Sequence, residues 1–249
     1  MAGTMGKRPA KGRQTASRHL GAEAMALMRL VEAARYEDVE AAARRILGRN
    51  PNDALAGKAL SFALLGLWRF KEALPLLEHL ASRQPGDPEI HNNLGIALSS
   101  LLRFEDSIAA FKRALALTPD DPETLCNLGK AYGNEKRWND AVPWLLQAIE
   151  KHPGDYVEAV QLLAGCLMNA DRVDEAVACY RELSNADPQD AFALYQYVWG
   201  SLRRCDWSGI DGAIDRLRTI SDGFARKLDS PFVSFSLPGV DAREQRRIA

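Results

Sequence analysis

The sequence lacks most of the features that announce an enzyme, a membrane protein or a metal site. No apolar run approaches the ~18 residues that a membrane-spanning helix needs. The four cysteines, Cys126, Cys166, Cys179 and Cys205, include no Cys-x-x-Cys pair and no short ligand spacing. Scattered thiols of this kind suit a reducing compartment, where they serve as small apolar side chains, and a cytoplasmic protein is expected. The four histidines, His19, His79, His91 and His152, are spread along the chain, none with the Cys, Asp and Ser neighbours of a triad. No metal, no cofactor and no catalytic residue is therefore expected. No Gly-rich phosphate turn opens a helix, and Gly6-Lys7 lacks the glycine spacing and the Ser/Thr of a phosphate-binding loop. A formal net charge of -1 gives no global field for nucleic acid or an anionic membrane, and neither is expected as a partner.

What remains is 47% hydrophobic and 26% charged, ordinary for a folded protein. Residues 1–18 stand apart, with Lys7, Arg8, Lys11, Arg13 and Arg18 but no acid. No apolar stretch follows to make a secretory signal. A disordered, solvated tail is expected, with a basic arm for an acidic partner as the alternative.

The rest of the chain is periodic. Prolines recur at Pro51, Pro85, Pro119, Pro153 and Pro188, with steps of 34, 34, 34 and 35 residues. At ordinary proline usage three such hits in register arise by chance about once in ten thousand. The same step is kept by Arg35, Arg69, Arg103, Arg137 and Arg172. Each is followed by an apolar or aromatic residue (Tyr36, Phe70, Phe104, Trp138, Val173), a column that Trp207 continues. Small residues follow at Ala73, Ser107, Ala141 and Ala176. Each unit reads as helix, short turn, helix. In residues 85–119, Asp87 caps the first helix and Pro88 suits its first position. Ile90, Leu94, Ala97, Leu98 and Leu101 recur at helical spacing, and Gly95 admits a close neighbour. After a turn at Arg103-Phe104, a second stripe of Ile108, Phe111, Ala114 and Leu115 runs to Pro119. Asp53, Asp121, Asp155 and Asp190 repeat the cap.

On these residues the chain resembles tetratricopeptide repeats: Asn93-Leu94-Gly95, Leu98, Phe104, Ser107, Phe111, Ala114 and Pro119 in one unit, and Asn127-Leu128-Gly129, Tyr132, Trp138, Ala141, Ala148 and Pro153 in the next. The resemblance covers residues 20–218, with a degenerate first unit at 20–50, four good units in 54–187 and a divergent last pair at 191–218. One extra residue lies near Tyr156-Val157. The resemblance implies an all-α fold, a right-handed superhelical solenoid over residues 19–218 in about five or six units, because a single helix pair cannot bury its apolar face alone.

By the same analogy the first helix of each pair lines a concave peptide-binding groove. Its candidate residues are Lys58, Phe62, Asn92, Asn93, Ile96, Cys126, Asn127, Lys130, Gln161, Tyr195 and Gln196. Asn93 and Asn127 are equivalent positions, and a side-chain amide offers one acceptor and two donors to a peptide backbone. Two readings stand open: a two-rung amide ladder, or asparagines that only solvate or bond within a helix face. A carboxylate clamp of the kind found in some members of the family fits Lys58 and Asn93. It does not fit Phe62, Glu123 or Asn127. The tryptophans are expected as core or inter-helix filler.

The order Arg204-Cys205-Asp206-Trp207, a helix to about Arg218, Ser230-Pro231-Phe232 and Leu237-Pro238-Gly239 resembles the junction after the repeats in bacterial protein O-GlcNAc transferases. The alternative is a terminal capping repeat with Trp207 buried as the aromatic of its column. The resemblance makes residues 219–249 a linker towards a glycosyltransferase region whose catalytic residues have no matching positions here. The expected function is a protein- or peptide-binding module, the substrate-recognition part of such a transferase. The rivals are a stand-alone adaptor and an assembly scaffold that forms a homodimer through its convex face.

Overall fold

The computed structural model describes residues 11–151 and 157–224, and within them twelve α-helices and no strand. Residues 1–10 of the expected tail, the cap at Asp155 and the junction elements from Ser230 onward lie outside the described residues. Residues 11–18 of that tail are helical, as the start of α1 (Lys11–Glu32).

The remaining helices follow a strict alternation. The first helix of each pair has 13 residues: α3 (Ala54–Gly66), α5 (Pro88–Ser100), α7 (Pro122–Asn134), α9 (Val157–Asn169) and α11 (Ala191–Arg203). The second has 14: α2 (Tyr36–Arg49), α4 (Phe70–Arg83), α6 (Phe104–Leu117), α8 (Trp138–Lys151), α10 (Val173–Ala186) and α12 (Asp211–Phe224). The all-α repeat class read from the period is the one found.

Local chemistry explains the boundaries. The carboxylates of Asp53, Asp121 and Asp190 accept from the backbone N–H of Ala56 (3.0 Å), Thr124 (2.9 Å) and Ala193 (3.0 Å), and Asp87 accepts from Glu89 at 3.1 Å. Each cap satisfies a donor that the first turn leaves unpaired, worth about 1 kcal/mol. Each turn from first to second helix contains one non-glycine residue in the left-handed region: Ala34, Trp68, Leu102, Lys136, Asp171 and Cys205, with φ between 49° and 62°. In the first five of these turns an arginine follows, immediately before the second helix, and pairs with an acid three residues on. Arg69–Glu72, Arg103–Asp106, Arg137–Asp140 and Arg172–Glu175 lie at 2.7 to 2.8 Å.

The contacts divide the chain into residues 1–131 and 132–249, each described by itself. In the first, α2 to α6 each pack on their sequence neighbours, and α3 also touches α5. The core runs through Leu27, Val39, Ala43, Leu60, Leu64, Leu77, Leu94 and Leu98. Ala73 and Ser107 are fully enclosed. Gly95 meets the Phe111 ring so closely that a Cβ would stand 2.5 Å from it. In the second unit, α8 to α12 form the same chain of neighbours, and Leu194, Val198, Ile210, Ile214 and Leu217 make a compact terminal cluster.

Two features differ from the sequence reading. The aromatic column that opens each second helix fails at Trp207, and α12 begins only at Asp211. Asp206 accepts from the backbone N–H (3.0 Å) and hydroxyl (2.6 Å) of Ser208, and Gly209 takes φ 76°, so the chain turns before the helix starts. Trp207 is 62% exposed and not buried as its column suggests. Nor are the tryptophans uniformly filler: Trp68 is 80% exposed and Trp199 38%.

Candidate functional site

The first helices of the residues 1–131 unit bring the candidate side chains together on α3, α5 and α7. The Lys58 ammonium is held 2.9 Å from Asp87 and is also paired with Glu89. Partial desolvation works against its charged form, but the bonds to Glu89 and Asp87 outweigh this and hold its pKa above the ordinary lysine value. Its charge is thus matched within the fold, at the N-terminus of α5. Phe62 is half-buried, with its ring 5.4 Å from that of Tyr36 and tilted by 52°.

On α5 and α7 the amides divide their roles. Asn92 is 9% exposed, and its Oδ1 accepts from the Asn127 amide at 3.2 Å. Its own amide donates to the Glu123 carboxylate at 3.4 Å. Asn93, one residue on, is half-buried, and no hydrogen bond to its side chain is present among the described residues. The two equivalent asparagines therefore differ: Asn93 is uncommitted, while Asn127 has given one N–H to Asn92. Ile96 is half-buried beside them, Cys126 is half-buried and Lys130 is exposed.

In the residues 132–249 unit, Gln161 on α9 is exposed, and Tyr195 and Gln196 on α11 are half-buried. Sequence reasoning missed their neighbours. Phe192 is 58% exposed and Trp199 lies seven residues further along α11. A signal existed: the column Glu89, Glu123, Glu158 is acidic until Phe192 replaces it with an aromatic ring. Phe192 stands edge-on to Tyr180, centroids 6.2 Å apart at 80°. Burial, with the nearby thiols of Cys179 and Cys166, pushes the Tyr180 hydroxyl up to about 12. Trp199 is covered on one side by the Arg203 guanidinium, 5.0 Å from its ring.

His91 is buried, and its Nε2 lies 2.9 Å from the Pro85 carbonyl, a structural bond. No group of three or more His, Cys, Asp or Glu residues able to hold a metal occurs among the described residues. An open depression of 360 Å³ on the second unit is lined by Tyr132, Arg137, Asp140, Pro143 and Trp144, in which the Arg137 guanidinium lies 4.7 Å over the Tyr132 ring. No described helix is long and apolar enough to cross a membrane.

Residues 103–136 match a family described as TPR repeat, and residues 135–197 one described as Tetratricopeptide repeat. No curated protein sequence matches the chain. Among solved structures, the chain is similar to MamA from Desulfovibrio magneticus RS-1 at 21% identity (TM-score 0.62, covering 72% of this chain and 98% of that one). It is also similar to YrrB, described as a TPR protein with an unusual peptide-binding site, at 19% identity (TM-score 0.63, covering 75% and 98%). A third is TTC0263, a thermophilic TPR protein from Thermus thermophilus, at 23% identity (TM-score 0.56, covering 73% and 98%). These likenesses concern the fold. With the capped helix pairs and the recurrent turn, they show a tetratricopeptide-type fold, and residues 103–197 carry matched tetratricopeptide repeats.

Proposed function

We propose that the chain is a protein- or peptide-binding module that takes an extended segment along the first helices of its repeats. The observation that carries this reading is the polar track on α5 and α7. Asn93 keeps its whole amide for a ligand, and Asn127 keeps its Oδ1 and second N–H. Such amides bond a backbone without reading its sequence, and neighbouring pockets add selection. Lys58, Phe62, Ile96 and Lys130 flank this track; in the other unit, taken by itself, Gln161 and Gln196 are the corresponding binding positions. The test uses peptides selected by display against the full chain. Asn93→Ala with Asn127→Ala is expected to weaken their binding about tenfold or more, with the helical circular dichroism unchanged; unchanged affinity removes the amide track from the reading.

The finer reading is a substrate-recognition part of a protein O-GlcNAc transferase-like protein. It is supported by the order of sequence elements from Cys205 to Gly239. A coding sequence that continues beyond Ala249 into a glycosyltransferase region would sustain it. UDP-GlcNAc binding by this chain itself, measured by calorimetry, would contradict the assignment of catalysis to another region. A cytoplasmic location is supported by cysteines that form no disulfide among the described residues.

A further inference from the structure

The face of α11 differs from every other first-helix face in carrying two exposed rings, Phe192 and Trp199, on one side of the helix. Seven residues separate them, which is about 10.5 Å along a helix axis. Between them lie Tyr195 and Gln196, both half-buried. The opposite side, with Ala193, Leu194 and Val198, is fully committed to the core. The two rings are held rather than loose: Phe192 by the Tyr180 edge, and Trp199 by the Arg203 guanidinium. Arg203 in turn is fixed by Asp171 at 3.0 Å.

The arginines beside these rings are paired, Arg203 with Asp171 and Arg204 with Asp174, while Asp190 at the N-cap accepts from the Ala193 backbone N–H. The ring-bearing side therefore offers no unpaired arginine to a phosphate or a carboxylate. It suits a neutral, apolar ligand with few degrees of freedom to lose. A polyproline II segment rises about 3.1 Å per residue with three residues per turn, so residues three apart share one side and lie about 9.3 Å from each other. That spacing is within about 1 Å of the axial rise between positions 192 and 199 of α11. Proline stacks on aromatic faces, and the segment's preformed shape limits the entropy lost on binding. Gln196, between the rings, can reach a backbone carbonyl of a segment laid along the helix, because such a segment has no internal hydrogen bonds.

We propose that the α11 face is a docking site for a proline-rich segment in the polyproline II conformation, with prolines three residues apart seated on Phe192 and Trp199. This rests on the reading of the first helices as a peptide-binding surface and names the ligand class of one part of it.

The probe is a twelve-residue poly-L-proline peptide titrated into the full chain, followed by calorimetry and by the tryptophan indole N–H signals. The expected result is saturable binding that shifts the Trp199 indole signal and is weakened at least about tenfold by Phe192→Ser and by Trp199→Ala. Trp68→Ala, which removes an exposed ring elsewhere, leaves it unchanged. An alanine-based peptide with prolines at i and i+3 is expected to bind more tightly than one with prolines at i and i+2. Failure of poly-L-proline to bind, or binding indifferent to Phe192→Ser, overturns the proposal, as does a Phe192-dependent dimer in sedimentation, which would make this face a self-contact. If display-selected peptides still bind through Asn93 and Asn127 in that case, only the ligand class is wrong. If they do not, the general reading falls as well.

Discussion

Asn127 donates its side-chain amide to Asn92 across the gap between α7 and α5, at 3.2 Å. This bond links two neighbouring first helices on the face assigned to ligand, and Asn92 passes it on to Glu123. Asn92→Ala should cost about 1 kcal/mol of stability, the ordinary net value of such a bond. It also releases the Asn127 amide, so binding of display-selected peptides should be kept or strengthened. Urea midpoints and calorimetry on the same variant check both halves.

Two helical glycines should respond with opposite sign. At Gly95 a Cβ would stand 2.5 Å from the Phe111 ring, and Gly95→Ala should destabilise by about 1–3 kcal/mol. At Gly165, inside α9, a Cβ meets nothing within 4 Å. There Gly165→Ala should gain up to about 1 kcal/mol from helix propensity alone. Thermal unfolding of the two variants side by side tests the packing at Gly95; equal shifts would contradict it.

Glu40 accepts from Arg44 at 2.8 Å and from Arg69 at 2.7 Å. The Arg44 bond, opposed by desolvation and reinforced by Arg69, lowers its pKa below the unperturbed carboxylate value of 4.5. A lowered carboxylate stabilises the fold above its unfolded pKa and loses that contribution as pH falls through the native value. Stability should therefore decline below about pH 4.5. Glu40→Gln should flatten part of that decline, as read from urea midpoints across pH 3 to 6. High salt should shrink the difference, since the pair is near the surface.

The thiols should separate by rate. Cys166 is 5% exposed and Cys179 half-buried, and burial raises the pKa of both. Cys205 is exposed in its turn. A colourless aromatic disulfide reagent at neutral pH should modify Cys205 first, with Cys166 reacting only as the chain opens. Cys205→Ser should remove the fast phase.

Trp68 has φ 59° and is 80% exposed. A bulky side chain gains little there and tolerates the left-handed region poorly, whereas asparagine enters it readily. Trp68→Asn should hold or raise stability by up to about 1 kcal/mol. A loss larger than that would mean the indole contributes packing through Phe70, whose ring lies 5.8 Å away.

The architecture was legible because its causes are local and repeated. Caps at Asp53, Asp87 and Asp190, proline at position 88 and the small residues at Ala73 and Ser107 act within one unit or between neighbours, so a period in the sequence becomes a period in space. The site was legible only as positions. That Asn93 is uncommitted while its counterpart Asn127 is engaged depends on Asn92, which breaks the period. Lys58 looked available, but its partners Asp87 and Glu89 belong to the next helix pair. Exposure of Trp199 and Trp207 was also hidden, because an aromatic at helical spacing has the same letter pattern whether it faces the interior or solvent. Only the neighbours brought up by folding decide which.

The joints between pairs carry a different freedom from the turns within them. Four residues separate α2 from α3, α4 from α5, α6 from α7 and α10 from α11, but five separate α8 from α9, while α9 keeps its 13 residues. The turns inside the first five pairs never vary from three residues, because the left-handed residue and the arginine after it admit no slack. Length can thus be added between pairs without disturbing the hairpins on either side. A reporter tag or a grafted epitope belongs at those junctions, and the same insertion beside Leu102 or Lys136 would uncouple a hairpin from its own second arm.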